Sequence, residues 1–173
     1  MIEEYLNFTF LQKISLIAIN AGKAVMEVYK QDFDINEKMP NHPITKADIN
    51  SHLIIKNSLK NLIPNTYFFS EESENIDWNI RKEWKTYWLV DPLDGTKEFI
   101  KKNGEFTINI ALINDSKPIL GVIYAPALSK IYFAAKGIGC FVSNININEQ
   151  NISLEKNSKL FINKNDKKQK ILR

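Results

Sequence analysis

Between Phe106 and Val142 the chain has room for little except strands joined by short turns. Phe106, Ile108, Ile110 and Leu112 alternate with Thr107, Asn109 and Ala111, the two-residue period of a half-buried strand. Asn114-Asp115-Ser116-Lys117-Pro118 is a hairpin-type connection. Ile119 to Tyr124 reads as the next strand and Lys130 to Ala135 as the one after. Gly137 and Gly139 mark a turn before a last strand through Val142. Strands joined this closely pair antiparallel, because parallel neighbours need a long crossover. The expectation is an α+β fold in which the upstream helices pack on an antiparallel sheet.

Those helices are legible. Phe8, Leu11, Ile14, Ile17, Ala18, Ala21, Ala24, Val25 and Val28 recur at helical spacing over residues 8–30. Gly22 among alanines points to close packing against another element. Residues 31–44 are polar, contain Pro40 and Pro43, and read as a loop carrying Lys38 and His42. Thr45-Lys46-Ala47-Asp48 opens a second helix, with Ile49, Leu53, Leu59 and Leu62 as its apolar stripe and Pro64 beyond its end. Thr45 and Asp48 have the spacing of a capping box. A carboxylate that points into a metal site is the other account of Asp48. Thr66 to Ser70 reads as a strand ending in Glu71-Glu72, and residues 73–86 as a surface loop with a helical turn.

The stretch Tyr87 to Ile100 joins these halves and carries the chemistry. Tyr87-Trp88-Leu89-Val90 is a buried-strand pattern, and Pro92 is expected to stop the sheet ladder behind Asp91. Asp94, Gly95 and Thr96 follow, and a helix can open at Thr96. Gly95 permits a tight turn and close approach of backbone to a ligand. Two carboxylates hold a hard cation through oxygen, and a helix N-terminus holds an anion through free N–H groups. A phosphate bridged to a dication needs both. If the strand ending at Ser70 neighbours the one ending at Asp91, Glu71 joins the pair. A plain turn is the competing account of Asp-Pro-Leu-Asp-Gly.

Composition narrows the class. A net charge of +3 is too small to argue for nucleic acid as a partner. One cysteine, Cys140, excludes an internal disulfide framework; it reads as a buried, inert thiol in a reducing compartment. No apolar stretch reaches the 18 residues of a membrane span, and the Met-Ile-Glu-Glu start lacks the basic residues of a signal peptide, so the cytoplasm is the expected location. The basic residues from Lys164 to Arg173 have no interleaved aromatic residue and read as a solvated tail. Peripheral contact of that tail with acidic lipid at the inner membrane is kept as a second expectation.

Thr45-Lys46-Ala47-Asp48, Ser70-Glu71-Glu72-Ser73 and Asp91-Pro92-Leu93-Asp94-Gly95-Thr96 resemble the three N-terminal motifs of the inositol monophosphatase superfamily. The spacings agree, with 23 residues from Asp48 to Glu71 and 20 from Glu71 to Asp91. Lys97-Glu98-Phe99-Ile100 and the run from Asn103 to Leu112 resemble its CysQ branch, the 3′(2′),5′-bisphosphate nucleotidases. The resemblance implies a Mg²⁺-dependent phosphatase that converts adenosine 3′,5′-bisphosphate to AMP and phosphate. It implies Glu71, Asp91, the Leu93 carbonyl and Asp94 as ligands of two or three Mg²⁺ ions. Asp48, Glu71 and Thr96 are implied around the attacking water. Glu71, Leu93, Asp94, Gly95 and Thr96 are implied at the substrate, with Lys38 the least secure match. The family's fourth motif, Trp-Asp-x-x-Ala, is absent, since Trp78, Trp84 and Trp88 precede no Asp. The resemblance thus implies a metal- and phosphate-binding domain over residues 1–158. Residues 159–173, with Leu160-Phe161-Ile162 as a short strand, would start an incomplete C-terminal domain or form a basic tail. An inositol or sugar monophosphatase is the alternative within the class. A metal- or phosphate-binding remnant with little turnover is the alternative outside it.

Overall fold

The computed structural model describes residues 2–31, 35–39, 42–74, 76–146 and Leu154; of residues 3, 35–39, 42 and 43 it describes the backbone only. A 3-10 turn (Ile2–Tyr5) precedes helix α1 (Phe8–Tyr29), whose first turn is capped by the Asn7 side chain accepting from the Phe10 N–H at 2.8 Å. Strands β1 (Ile35–Met39) and β2 (His42–Thr45) pair antiparallel as a small hairpin where a loop was expected. A two-stranded ribbon needs no buried face, so its polar composition leaves no strand period to read. Pro43 is tolerated because an edge strand has N–H positions outside the ladder.

Helix α2 (Lys46–Leu62) leads to β3 (Tyr67–Ser70), a short helix α3 (Trp78–Arg81), β4 (Thr86–Asp94) and helix α4 (Thr96–Ile100). The meander follows as β5 (Thr107–Asn114), β6 (Lys117–Ala125), β7 (Lys130–Ala135) and β8 (Gly139–Asn144). The sheet order is β3-β4-β5-β6-β7-β8. Every pair from β4 to β8 is antiparallel, as the short turns require. The β3–β4 pair is parallel, from Tyr67 opposite Tyr87 to Ser70 opposite Val90, so the sheet is mixed and not purely antiparallel. Residues 71–85, with α3 among them, supply the crossover that a parallel neighbour needs.

One face of the sheet carries the core. Trp88, Val90, Ile108, Ile110, Leu112, Val122, Tyr124 and Phe133 are buried. Strand alternation puts Leu89, Ile123 and Tyr132 on the other face, where each is exposed. Helix α1 lies against the core face so closely that a Cβ on Gly22 would stand 2.4 Å from the Tyr124 ring. That is the close approach Gly22 suggested. Helix α2 is turned from its expected orientation. Ile49 and Leu53 are 45% and 49% exposed, while Ala47, Asp48, Ser51, His52, Ile55 and Leu59 form the buried face. Of the expected stripe, Leu59 is buried and Leu62 half-buried, but in the first turns polar side chains that find partners are buried in place of Ile49 and Leu53. Among the described residues no helix is long and apolar enough to cross a membrane. Leu160-Phe161-Ile162, the basic tail and the expected boundary at 158/159 lie outside the described residues.

Candidate active site

The site is built by an irregularity in β4. Asp91 is opposite Asn109 and Asp94 is opposite Thr107, so β4 spends three steps where β5 spends two. In a regular strand, residues three apart point to opposite faces. The extra residue of this bulge returns Asp94 to the face of Asp91. Pro92 therefore does not end the ladder, as its missing N–H suggested; the strand continues to Asp94 because the bulge needs no N–H there. The Leu93 N–H donates to Asp91 Oδ1 at 3.2 Å and the Asn109 amide donates to Asp94 Oδ2 at 3.2 Å. Asp91, Asp94, Thr107, Asn109 and Glu71 line one groove of about 650 Å³.

Glu71 arrives from the neighbouring strand. Its N–H donates to the Val90 carbonyl at 3.2 Å, continuing the parallel ladder one residue beyond Ser70. The acids thus gather at the C-terminal ends of the edge pair β3–β4. Asp48 comes from α2. Its Oδ2 accepts from the Thr45 N–H at 2.7 Å and the Thr45 hydroxyl at 2.6 Å, which completes the capping box. Its Oδ1 accepts from the Thr96 hydroxyl at 3.2 Å. Asp48 thus caps its helix and is tied to Thr96, while neither of them, nor Leu93 or Gly95, lines the groove of Glu71, Asp91 and Asp94. The Thr96 hydroxyl is also 3.2 Å from the Leu93 carbonyl. Gly95 has φ of 92° and a Cβ there would lie 2.8 Å from the Glu105 carbonyl, so neither conformation nor space admits a side chain. Phe99 anchors α4, its ring centroid 5.2 Å from those of Tyr29 and Phe106.

The electrostatics follow from crowding. Burial first, then the Glu71 and Asp94 carboxylates, push Asp91 up to about 7. Burial also raises Asp48 above the usual carboxylate range, against the Thr45 hydrogen bonds that lower it, and Glu72 adds to the rise. The linkage has a definite sign. Below pH 4 Asp91 is protonated folded or unfolded; from about 4 to about 7 the folded chain keeps a proton that the unfolded chain has lost. Metal-free stability therefore falls as pH rises through that window. Because Asp91 is partly exposed, solvent screening limits the loss to about 2–4 °C in Tm. Thermal melts from pH 5 to 8 check this; added Mg²⁺ should restore Tm most at the alkaline end, and a flat profile would contradict it.

The residues that could hold a metal offer only oxygen, from the carboxyls of Glu71, Asp91 and Asp94 and the Leu93 carbonyl, crowded enough that Asp91 is pushed up to about 7. That chemistry fits a hard dication such as Mg²⁺. The carboxylates are gathered but not closed: among the described residues no three or more His, Cys, Asp or Glu side chains form a ready-made metal cage. Lys38 lies on β1, and its side chain is outside the described residues, as is that of His42. The Cys140 thiol is only partly buried. Residues that sequence reasoning did not single out are Asn109, which holds Asp94, and Ser51, His52 and Ser70, buried behind the acids. Asn109 sits in the alternating pattern of β5 on the face opposite the core, inside the run from Asn103 to Leu112 that carried the resemblance.

A helix layer on one face of a mixed sheet, with carboxylates gathered by a bulge beside a left-handed glycine, defines an oxygen-donor site at strand ends. The inositol monophosphatase family model matches residues 8–172, and the chain belongs to that family. The 3′(2′),5′-bisphosphate nucleotidase CysQ of Escherichia coli (strain K12) is 51% identical over 129 residues, 73% of this chain and 52% of that protein. The crystal structure of CysQ from Bacteroides thetaiotaomicron is 37% identical with a TM-score of 0.70, covering 86% of this chain and 55% of that one. The extragenic suppressor protein suhB from Bartonella henselae is 30% identical with a TM-score of 0.70, covering 79% and 53%. The chain spans about half the length of the curated relatives it matches.

Proposed function

We infer that these residues carry the metal- and phosphate-binding site of a Mg²⁺-dependent phosphate monoester hydrolase, a 3′(2′),5′-bisphosphate nucleotidase that converts adenosine 3′,5′-bisphosphate to AMP and phosphate. The observation that carries the reading is the bulge of β4, which sets Asp91 and Asp94 on one face of a groove that Glu71 also lines, with Asp48 and Thr96 hydrogen-bonded to each other at 3.2 Å where α4 begins. The names of the CysQ relatives support the substrate class.

Bound Mg²⁺ supplies positive charge against the phosphate oxygens, which otherwise repel a nucleophile. Glu71, Asp91, Asp94 and the Leu93 carbonyl would hold it. The Thr96 hydroxyl lies 3.2 Å from both Asp48 Oδ1 and the Leu93 carbonyl, and when it donates to Asp48 its oxygen can accept a hydrogen bond from the attacking water. As the water oxygen bonds to phosphorus and the P–O ester bond breaks, the water proton moves towards Thr96 and the Thr96 proton towards Asp48, while the departing ester oxygen takes its proton from solvent water. The raised affinity of Asp48 for a proton suits it to this work. Gly95, with no side chain, lets backbone N–H groups approach the phosphate.

The test is Mg²⁺ titration calorimetry together with phosphate release from adenosine 3′,5′-bisphosphate, with inositol 1-phosphate as the comparison. Mg²⁺ binding, and release from the bisphosphate at least about tenfold above inositol 1-phosphate, is expected; one clear polar mismatch is enough for a factor of that size. Absence of Mg²⁺ binding would overturn the reading, and preference for inositol 1-phosphate would move it to the alternative substrate class.

A further inference from the structure

We propose that Ser51 and His52 are positioning residues through which α2 holds the Glu71 turn and the Asp91–Asp94 bend in place around Asp48. The proposal rests on the reading of these acids as a metal and phosphate site. Asp48, Ser51 and His52 stand at positions i, i+3 and i+4, one face of α2. That face is 2%, 0% and 7% exposed. Burying three polar side chains is costly unless each is paired, and aliphatic residues would pack there at no such cost. Each is paired, and each to a different element of the site.

Asp48 reaches Thr96 at the start of α4. The Ser51 hydroxyl donates to the Pro92 carbonyl at 2.7 Å, inside the bulge between the two acids of β4. His52 Nδ1 is 3.0 Å from the hydroxyl of Ser70, the residue before Glu71. Ser70 is in turn the knot of its turn. Its hydroxyl accepts from the Glu72 N–H at 3.4 Å, its N–H donates to the Ser73 hydroxyl at 3.2 Å, and its carbonyl accepts from the Ser73 N–H at 3.0 Å. Nδ1 and the Ser70 hydroxyl share one hydrogen bond, in which either can donate according to the imidazole tautomer. The His52 ring is further fixed edge-on against Phe68, with centroids 5.5 Å apart. Hydrogen bonds to the carbonyl of one strand and the hydroxyl of the other set where the two strand ends lie along the helix. An apolar face would fill the same space and leave that register free.

The experiment compares His52→Leu, Ser70→Ala and Ser51→Ala with His52→Asn, whose side-chain amide puts a polar atom near the position of Nδ1. Two readouts are taken on the whole chain: amide hydrogen exchange at Glu71 and Glu72 without metal, and Mg²⁺ affinity by calorimetry. His52→Leu and Ser70→Ala should speed exchange of the Glu72 amide and weaken Mg²⁺ binding by about tenfold, while His52→Asn recovers most of both. Ser51→Ala should weaken Mg²⁺ binding similarly and shift the amide resonances of residues 91–94. Should His52→Leu fail to fold, the two alanine variants decide. Unchanged exchange and unchanged affinity in folded Ser70→Ala and Ser51→Ala would overturn the proposal. If the unmodified chain binds no Mg²⁺, the metal reading falls, and the exchange and resonance measurements still judge the positioning role.

Discussion

Asp91→Asn is expected to abolish measurable Mg²⁺ binding and to lower phosphate release by about 10²–10³-fold, the usual effect of removing one electrostatic stabiliser from a phosphoryl-transfer site. The fold should survive. Asn keeps the oxygen that accepts the Leu93 N–H, so the bulge retains its internal hydrogen bond. The metal-free protein should even gain stability at pH 8, because the change removes a carboxylate held near Glu71 and Asp94 and pushed up to about 7 by burial and by them. At pH 5, nearer the start of the window in which only the unfolded chain has lost the Asp91 proton, the gain should be smaller. Asp94→Asn should also lose Mg²⁺ affinity, while its amide hydrogen bond with Asn109 can persist. Calorimetry and thermal melts at the two pH values check all of this. Unchanged Mg²⁺ affinity in both variants would remove the acids of β4 from the site.

Gly22→Leu is expected to cost about 3 kcal/mol, roughly 6–12 °C in Tm for a chain of this size. Even the first added carbon would sit 2.4 Å from Tyr124 Cε1 and 3.2 Å from Ile108 Cδ1. Tyr124 and Ile108 are both fully buried, so neither ring nor methyl has room to retreat. Gly22→Ala is the graded case. Alanine gains about 1 kcal/mol in helix propensity, which offsets part of an overpacking cost of about 1–3 kcal/mol. The milder variant should therefore melt close to, or a few degrees below, the parent. Thermal melts of the pair decide it: equal stability of the leucine variant and the parent would mean that α1 does not rest on the sheet at this glycine.

The sequence by itself determined the meander, the two long helices and which acids end the apolar runs. Each leaves a local record: two-residue alternation in β5, helical spacing in α1, and acids at the ends of apolar runs. The motif resemblance reached the family for the same reason, since motifs are local. What only the tertiary structure decided depends on partners distant in the chain. Asp91 and Asp94 share a face because β5 pairs across them out of step, and spacing along one strand cannot show a bulge. Glu71 joins them because β3 lies parallel to β4, a pairing that a long crossover permits without announcing. The orientation of α2 was hidden most deeply. Ile49 and Leu53 looked like its buried stripe, yet Asp48, Ser51 and His52 face inward because Thr96, Pro92 and Ser70 wait there as partners. A polar side chain belongs in an interior only where its hydrogen bonds are met, and whether they are met is a property of the folded chain.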